Sequence, residues 1–136
     1  MKKIFLVLLV LANLLGAKEY TKEDRIKDMN EMANAMNAIQ SGFFYNNYDT
    51  VAEGVNSLSE AIVRVRPPLE EEVEKDLLTK YMNKRIQMTN KIVKSINRKA
   101  LTILERFKTG DSAQATQAYT KIMAECMKCH REMRSW

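Results

Sequence analysis

The chain has 136 residues and a formal net charge of +5, a one-domain length that can bury a core. Two of those charges are Lys2 and Lys3; without them twenty basic residues face seventeen acidic ones, near +3. That balance is too mild and too evenly scattered for a nucleic-acid binder, although a basic face could steer an acidic protein partner. Only four Gly and two Pro occur, while Met, Ala, Lys, Glu and Asn are plentiful, which favours helix over strand.

The run from Met1 to Ala17 has a charged start, an apolar middle from Ile4 to Leu15 and a small-residue end. This is the layout of a secretory signal peptide cleaved after Ala17. The apolar stretch is shorter than the roughly 20 residues a membrane span wants, so no stable span is expected after cleavage. Residues 18–136 then form a single domain.

Four amphipathic helices are predicted in that domain. The first spans about Thr21 to Tyr45, where Met29, Met32, Met36, Ile39 and Phe43 recur at steps of three and four. The second spans Asp49, a candidate N-cap, to Val65, with Val51, Val55, Leu58, Ile62 and Val65 on one stripe. Pro67-Pro68 separates it from a long third segment, Leu69 to Lys108, whose first turns hold Glu70, Glu71, Glu72 and Glu74 against the positive end of the helix dipole. Met82, Ile86, Val93, Ile96, Ala100, Ile103 and Phe107 are its expected buried stripe, with Thr89 a polar interruption. Its length leads to the expectation of a break near Leu78-Thr79. Gly110 is expected to close it as a left-handed cap, and Asp111-Ser112-Ala113-Gln114 to open a fourth helix running almost to Trp136. Short connections make neighbouring helices antiparallel, so the expected fold is all-α, an antiparallel up-down-up-down four-helix bundle.

The only two cysteines and the only histidine fall within five consecutive residues, Cys126-Met127-Lys128-Cys129-His130. This is C-x-x-C-H, the c-type haem attachment signature. Two thiols add across the porphyrin vinyl groups, and the adjacent imidazole ligates the iron. Export is consistent with such attachment. A structural zinc site wants four protein ligands, and no further Cys or His exists. A thioredoxin-like C-x-x-C would open a helix after a strand, whereas here it lies deep in the last helix. A simple disulfide, or a pair of core cysteines beside a surface histidine, remains as the alternative. The haem-free version of the chain would be a helical interaction protein with Cys126 and Cys129 bonded.

With these features the chain resembles the class II cytochromes c, the cytochrome c′ family, which are secreted four-helix bundles with C-x-x-C-H on the last helix. Two motifs carry the resemblance. One is Cys126-Met127-Lys128-Cys129-His130 followed by Arg134, where the family commonly reads C-x-x-C-H-x-x-Tyr-Arg; Met133 stands in place of the usual aromatic. The other is Arg25-Ile26-Lys27-Asp28-Met29. There the resemblance makes Arg25 the contact of a haem propionate and Met29 the residue facing the open side of the iron. It further implies one covalent haem c, His130 as proximal ligand and Arg134 near the proximal side. A methionine at the distal position implies six-coordinate, low-spin haem and an electron carrier. A bulky non-ligating residue there gives a five-coordinate cytochrome c′ that binds nitric oxide or other small gases.

Bundle geometry bears on this choice. Met29 lies eight residues after Thr21 and His130 six before Trp136, depths of roughly 12 and 9 Å from one end at 1.5 Å per residue. Met32 sits roughly 4–5 Å deeper and Met36 roughly 10 Å deeper. A methionine stripe is also ordinary core filling, with Met32 the rival ligand. No substrate pocket with acid-base residues is legible, so the reading is a carrier rather than an enzyme, serving redox partner proteins in the periplasm. Family members often dimerise through the first two helices, which leaves a homodimer open. The Asn-, Lys- and Glu-rich outer sides of those helices offer no clear apolar patch for it.

Overall fold

The computed structural model describes residues 20–65 and 75–133. They form four helices: α1, Lys22–Phe44; α2, Tyr48–Ile62; α3, Lys75–Lys108; and α4, Ser112–Met133. No strand occurs among the described residues. The expected signal segment 1–17, the Pro67-Pro68 link, the run Glu70–Glu74, the Met82 side chain, Arg134 and Trp136 lie outside them.

Local chemistry sets the helix ends. Thr21 caps α1 through a capping box, its hydroxyl accepting from the Asp24 amide while the Asp24 carboxylate accepts from the Thr21 amide. At the other end the Asn46 amide donates to Phe43 O at 3.3 Å and the Asn47 amide to Gly42 O at 2.9 Å. Asn46 takes φ 49°, the left-handed state that asparagine tolerates. Asn47 at once caps α2, its side chain accepting from the Thr50 amide at 3.1 Å. The expected cap, Asp49, therefore lies inside the first turn of α2, where its charge suits the dipole.

The second described connection repeats the device. The Gly110 amide donates to Phe107 O at 3.1 Å and the Asp111 amide to Arg106 O at 2.9 Å. Gly110 holds φ 81°, as expected of a left-handed cap, and Asp111 then accepts from the Gln114 amide at 3.1 Å. In both places one residue finishes a helix and starts the next.

Two further expectations change. The break near Leu78-Thr79 is absent: α3 runs unbroken from Lys75 to Lys108. Length alone does not break a helix, and this span contains no Pro or Gly to do so. Ile86 is exposed and Ile92 is buried instead. At 100° per residue Ile86 stands roughly 80° from the centre of the row formed by Thr89, Ile92, Ile96, Ala100, Ile103 and Phe107. The second helix also stops at Ile62, with Val65 reaching the core from the turn beyond it.

The core is continuous across all four helices. Ile39, Val51, Leu58, Ile96, Ala100, Ile103 and Ile122 are at its centre, with Met29, Met36, Phe43, Tyr119, Cys126 and Cys129 packed against it. Close backbone approach joins α1 with α2, α3 with α4, and α2 with α3. The α1–α2 crossing is tight enough that a Cβ on Gly54 would lie 2.9 Å from the Ala35 carbonyl oxygen and 2.8 Å from Ile39. The first and last helices meet through side chains, notably Phe43 against Tyr119 at 5.8 Å between ring centroids, with Phe107 5.2 Å from Phe43.

Candidate functional site

On α4, Cys129 is three residues and His130 four residues from Cys126, offsets of roughly −60° and +40° around the helix axis. All three therefore share one face. The intervening Met127 and Lys128 are exposed. That face borders a small, almost wholly apolar cavity of about 30 Å³ inside the bundle. Its walls are Met29 and Met32 from α1, Ile62 and Val65 from α2 and its end, Thr89, Ile92, Val93 and Ile96 from α3, and Cys126, Cys129 and His130 from α4. Four residues singled out by sequence, Met29, Cys126, Cys129 and His130, thus reach one space, and Met32 joins them. Met32 is 7 % exposed and belongs to the core; Met29 is half-buried beside it.

Arg25 is half-buried one turn before Met29 and does not line the cavity. The two cysteines are not bonded to each other. Burial, with a smaller contribution from Cys129, pushes the Cys126 thiol up, so the neutral thiol is its resting form at neutral pH. Burial likewise raises the Tyr119 phenol. Among the described residues no cluster of three or more His, Cys, Asp or Glu could hold a metal ion, and no helix is long and apolar enough to cross a membrane.

Two polar clusters that sequence reasoning missed fix the helices carrying the site. Asp28, 4 % exposed and adjacent to Met29, accepts from Tyr20 Oη at 2.8 Å and from Arg64 Nε at 2.8 Å. Arg64 also pairs with Glu31 and donates to Glu60 O at 3.0 Å. This clamp ties the start of α1 to the end of α2. The Asp28 contact raises the Arg64 guanidinium further above its ordinary range.

The second cluster joins α3 to α4 beside Cys126. Ser95 Oγ donates to Glu125 Oε1 at 2.7 Å, and Lys99 Nζ does so at 3.0 Å. The Ser95 hydrogen bond, then Lys99, hold the Glu125 carboxyl below its ordinary value of 4.5. A depressed carboxyl stabilises the fold fully above the unfolded value and loses that contribution as pH falls through the folded one. Glu125→Gln should therefore flatten the loss of thermal stability on acidification below about pH 4.5, read by melting temperature against pH. An unchanged acid limb would mean the cluster contributes nothing.

An open groove of about 360 Å³ on the outer face of α1 and α2 is larger but contains neither thiol nor imidazole; Glu31, Glu53, Glu60 and Arg64 are among its walls. Comparison of the chain with protein-family models, with curated proteins and with solved structures gives no match.

Proposed function

We propose that this chain is a monohaem c-type cytochrome that carries single electrons, with haem c bound through Cys126 and Cys129, His130 as proximal ligand and Met29 as distal ligand. The observation that carries the reading is the shared cavity, which Cys126, Cys129 and His130 of α4 line together with Met29 and Met32 of α1. Thioether and imidazole are the donor pair associated with high-potential haem iron.

The residues present fit the group in kind. The walls are apolar, the two thiols stand one helical turn apart, and one wall hydroxyl, that of Thr89, has no hydrogen-bond partner among the described residues. A porphyrin is far larger than about 30 Å³, so holding it requires α1 and α4 to stand further apart. Those two helices lack the close backbone packing that binds the other neighbours, which makes that seam the one to widen.

When bound, the haem supplies the ferric–ferrous couple. Cys126 and Cys129 anchor it, His130 and Met29 present nitrogen and sulfur to the metal, and Ile62, Val65, Ile92, Val93 and Ile96 exclude water. Arg25, one turn from Met29, is assigned to a propionate. The helix order in this reading is up-down-up-down. It is supported by the pairing of Gly42 with Val51, Gly54 with Ile39, Asp28 with Arg64, and Ser95 with Glu125. Residues 1–17 direct export, and the electron partners are periplasmic proteins.

The test is the absorption spectrum of the matured protein, ferric and ferrous, with and without carbon monoxide. The expected result is sharp low-spin bands, a thioether–iron charge-transfer feature in the ferric state, and indifference to carbon monoxide. High-spin bands with ready gas binding would replace the electron carrier with an open-iron, gas-binding protein.

A further inference from the structure

Among the described residues, Thr89 is the one polar side chain that α3 places on the cavity wall. It is 6 % exposed, and its hydroxyl is buried without a hydrogen-bond partner. Helical threonines ordinarily bond the carbonyl four residues back. Elsewhere this chain follows that habit: Thr102 bonds Arg98 O at 3.1 Å, and Thr120 bonds Thr116 O at 3.0 Å. Thr89 does not. A valine of the same shape would fill the position without leaving a donor unsatisfied, and an unsatisfied buried hydroxyl is costly. A donor kept at such a place calls for an acceptor that this arrangement of the helices does not bring within bonding distance.

The same cavity is lined by Met29 and Met32 of α1. A methionine sulfur that gives one lone pair to iron retains a second, which accepts a hydrogen bond. We propose that Thr89 is a positioning residue whose hydroxyl donates to the Met29 sulfur, steering it to the iron and tuning the couple; this rests on the haem reading above. Donation into the second lone pair withdraws electron density from sulfur. A poorer sulfur donor stabilises ferric iron less than ferrous, so the hydrogen bond raises the midpoint potential. The same bond also holds the thioether against displacement.

The experiment compares matured wild type, Thr89→Val, Thr89→Ser and Thr89→Val in a Met29→Leu background. Its readouts are midpoint potential and the affinity of ferric haem for added imidazole. Thr89→Val should lower the potential and tighten imidazole binding about tenfold, the equivalent of about 1.4 kcal/mol. Thr89→Ser, which keeps the donor, should track wild type. In the Met29→Leu background the Thr89→Val shift should vanish, because its acceptor is gone. If Thr89→Val does not accumulate, Thr89→Ala carries the same test. Low-spin holoprotein whose potential and imidazole affinity ignore Thr89→Val would overturn this proposal and leave haem attachment and methionine ligation standing. So would a shift that persists without Met29. A wild-type protein lacking covalent haem would sink the cytochrome reading itself, and this proposal with it.

Discussion

Replacing both Cys126 and Cys129 by alanine should abolish covalent haem completely. Thioether bonds survive denaturation, so the readout is haem stain on a denaturing gel of protein exported and matured in a c-type-competent host. On the proposed reading, wild type should stain, the double variant should not, and His130→Ala should accumulate little stained protein because the iron would lose its proximal donor. Met127→Ala is the control: its side chain is 57 % exposed between the cysteines and faces away from the cavity, so its stain should persist. Both cysteines pack against the core only partly, so removal of the sulfurs costs less than the about 2–5 kcal/mol of a buried Leu→Ala change. Loss of stain is then separable from loss of fold by circular dichroism. A colourless wild-type band would leave the paired cysteines with packing or disulfide chemistry alone.

Met29→Leu should convert the protein from low-spin to high-spin and from indifference to carbon monoxide to binding one molecule per haem. Leucine conserves volume, and such swaps generally cost less than about 1.5 kcal/mol, so the bundle should survive. Met32→Leu should leave the low-spin spectrum in place, because Met32 belongs to the core cluster whereas Met29 is the half-buried residue beside Asp28. If the two variants exchange behaviours, Met32 is the ligand and the depth argument fails by one turn. If neither changes the spectrum, the distal position is not a thioether of α1.

How legible this was depends on sequence separation. The Cys126–His130 motif is five consecutive residues, and one helix turn suffices to put its three chemical groups on one face. Gly110 and Asp111 were legible for the same reason, since a cap acts within four residues of itself. Asp49 was misread because the sequence does not reveal that Asn47, already the terminus of α1, doubles as the cap of α2. The Asp28–Arg64 clamp joins positions 36 residues apart, and no local pattern announces it. Thr89 was visible only as a polar interruption. Its meaning lies in a hydrogen bond it does not make, which only the folded structure can reveal.

Met29 and the Cys126–His130 motif ride on different helix pairs, α1–α2 and α3–α4, joined mainly through α2 and α3. On the proposed reading, a bond from Met29 to iron held by His130 would close a loop of about 100 residues. Loop closure is paid in chain entropy before the contact returns anything. Methionine ligation should thus be the last step of maturation, after haem is anchored to α4. It should also be the first link to open under mild denaturant, giving a coloured, folded, gas-accessible species before the helices unfold.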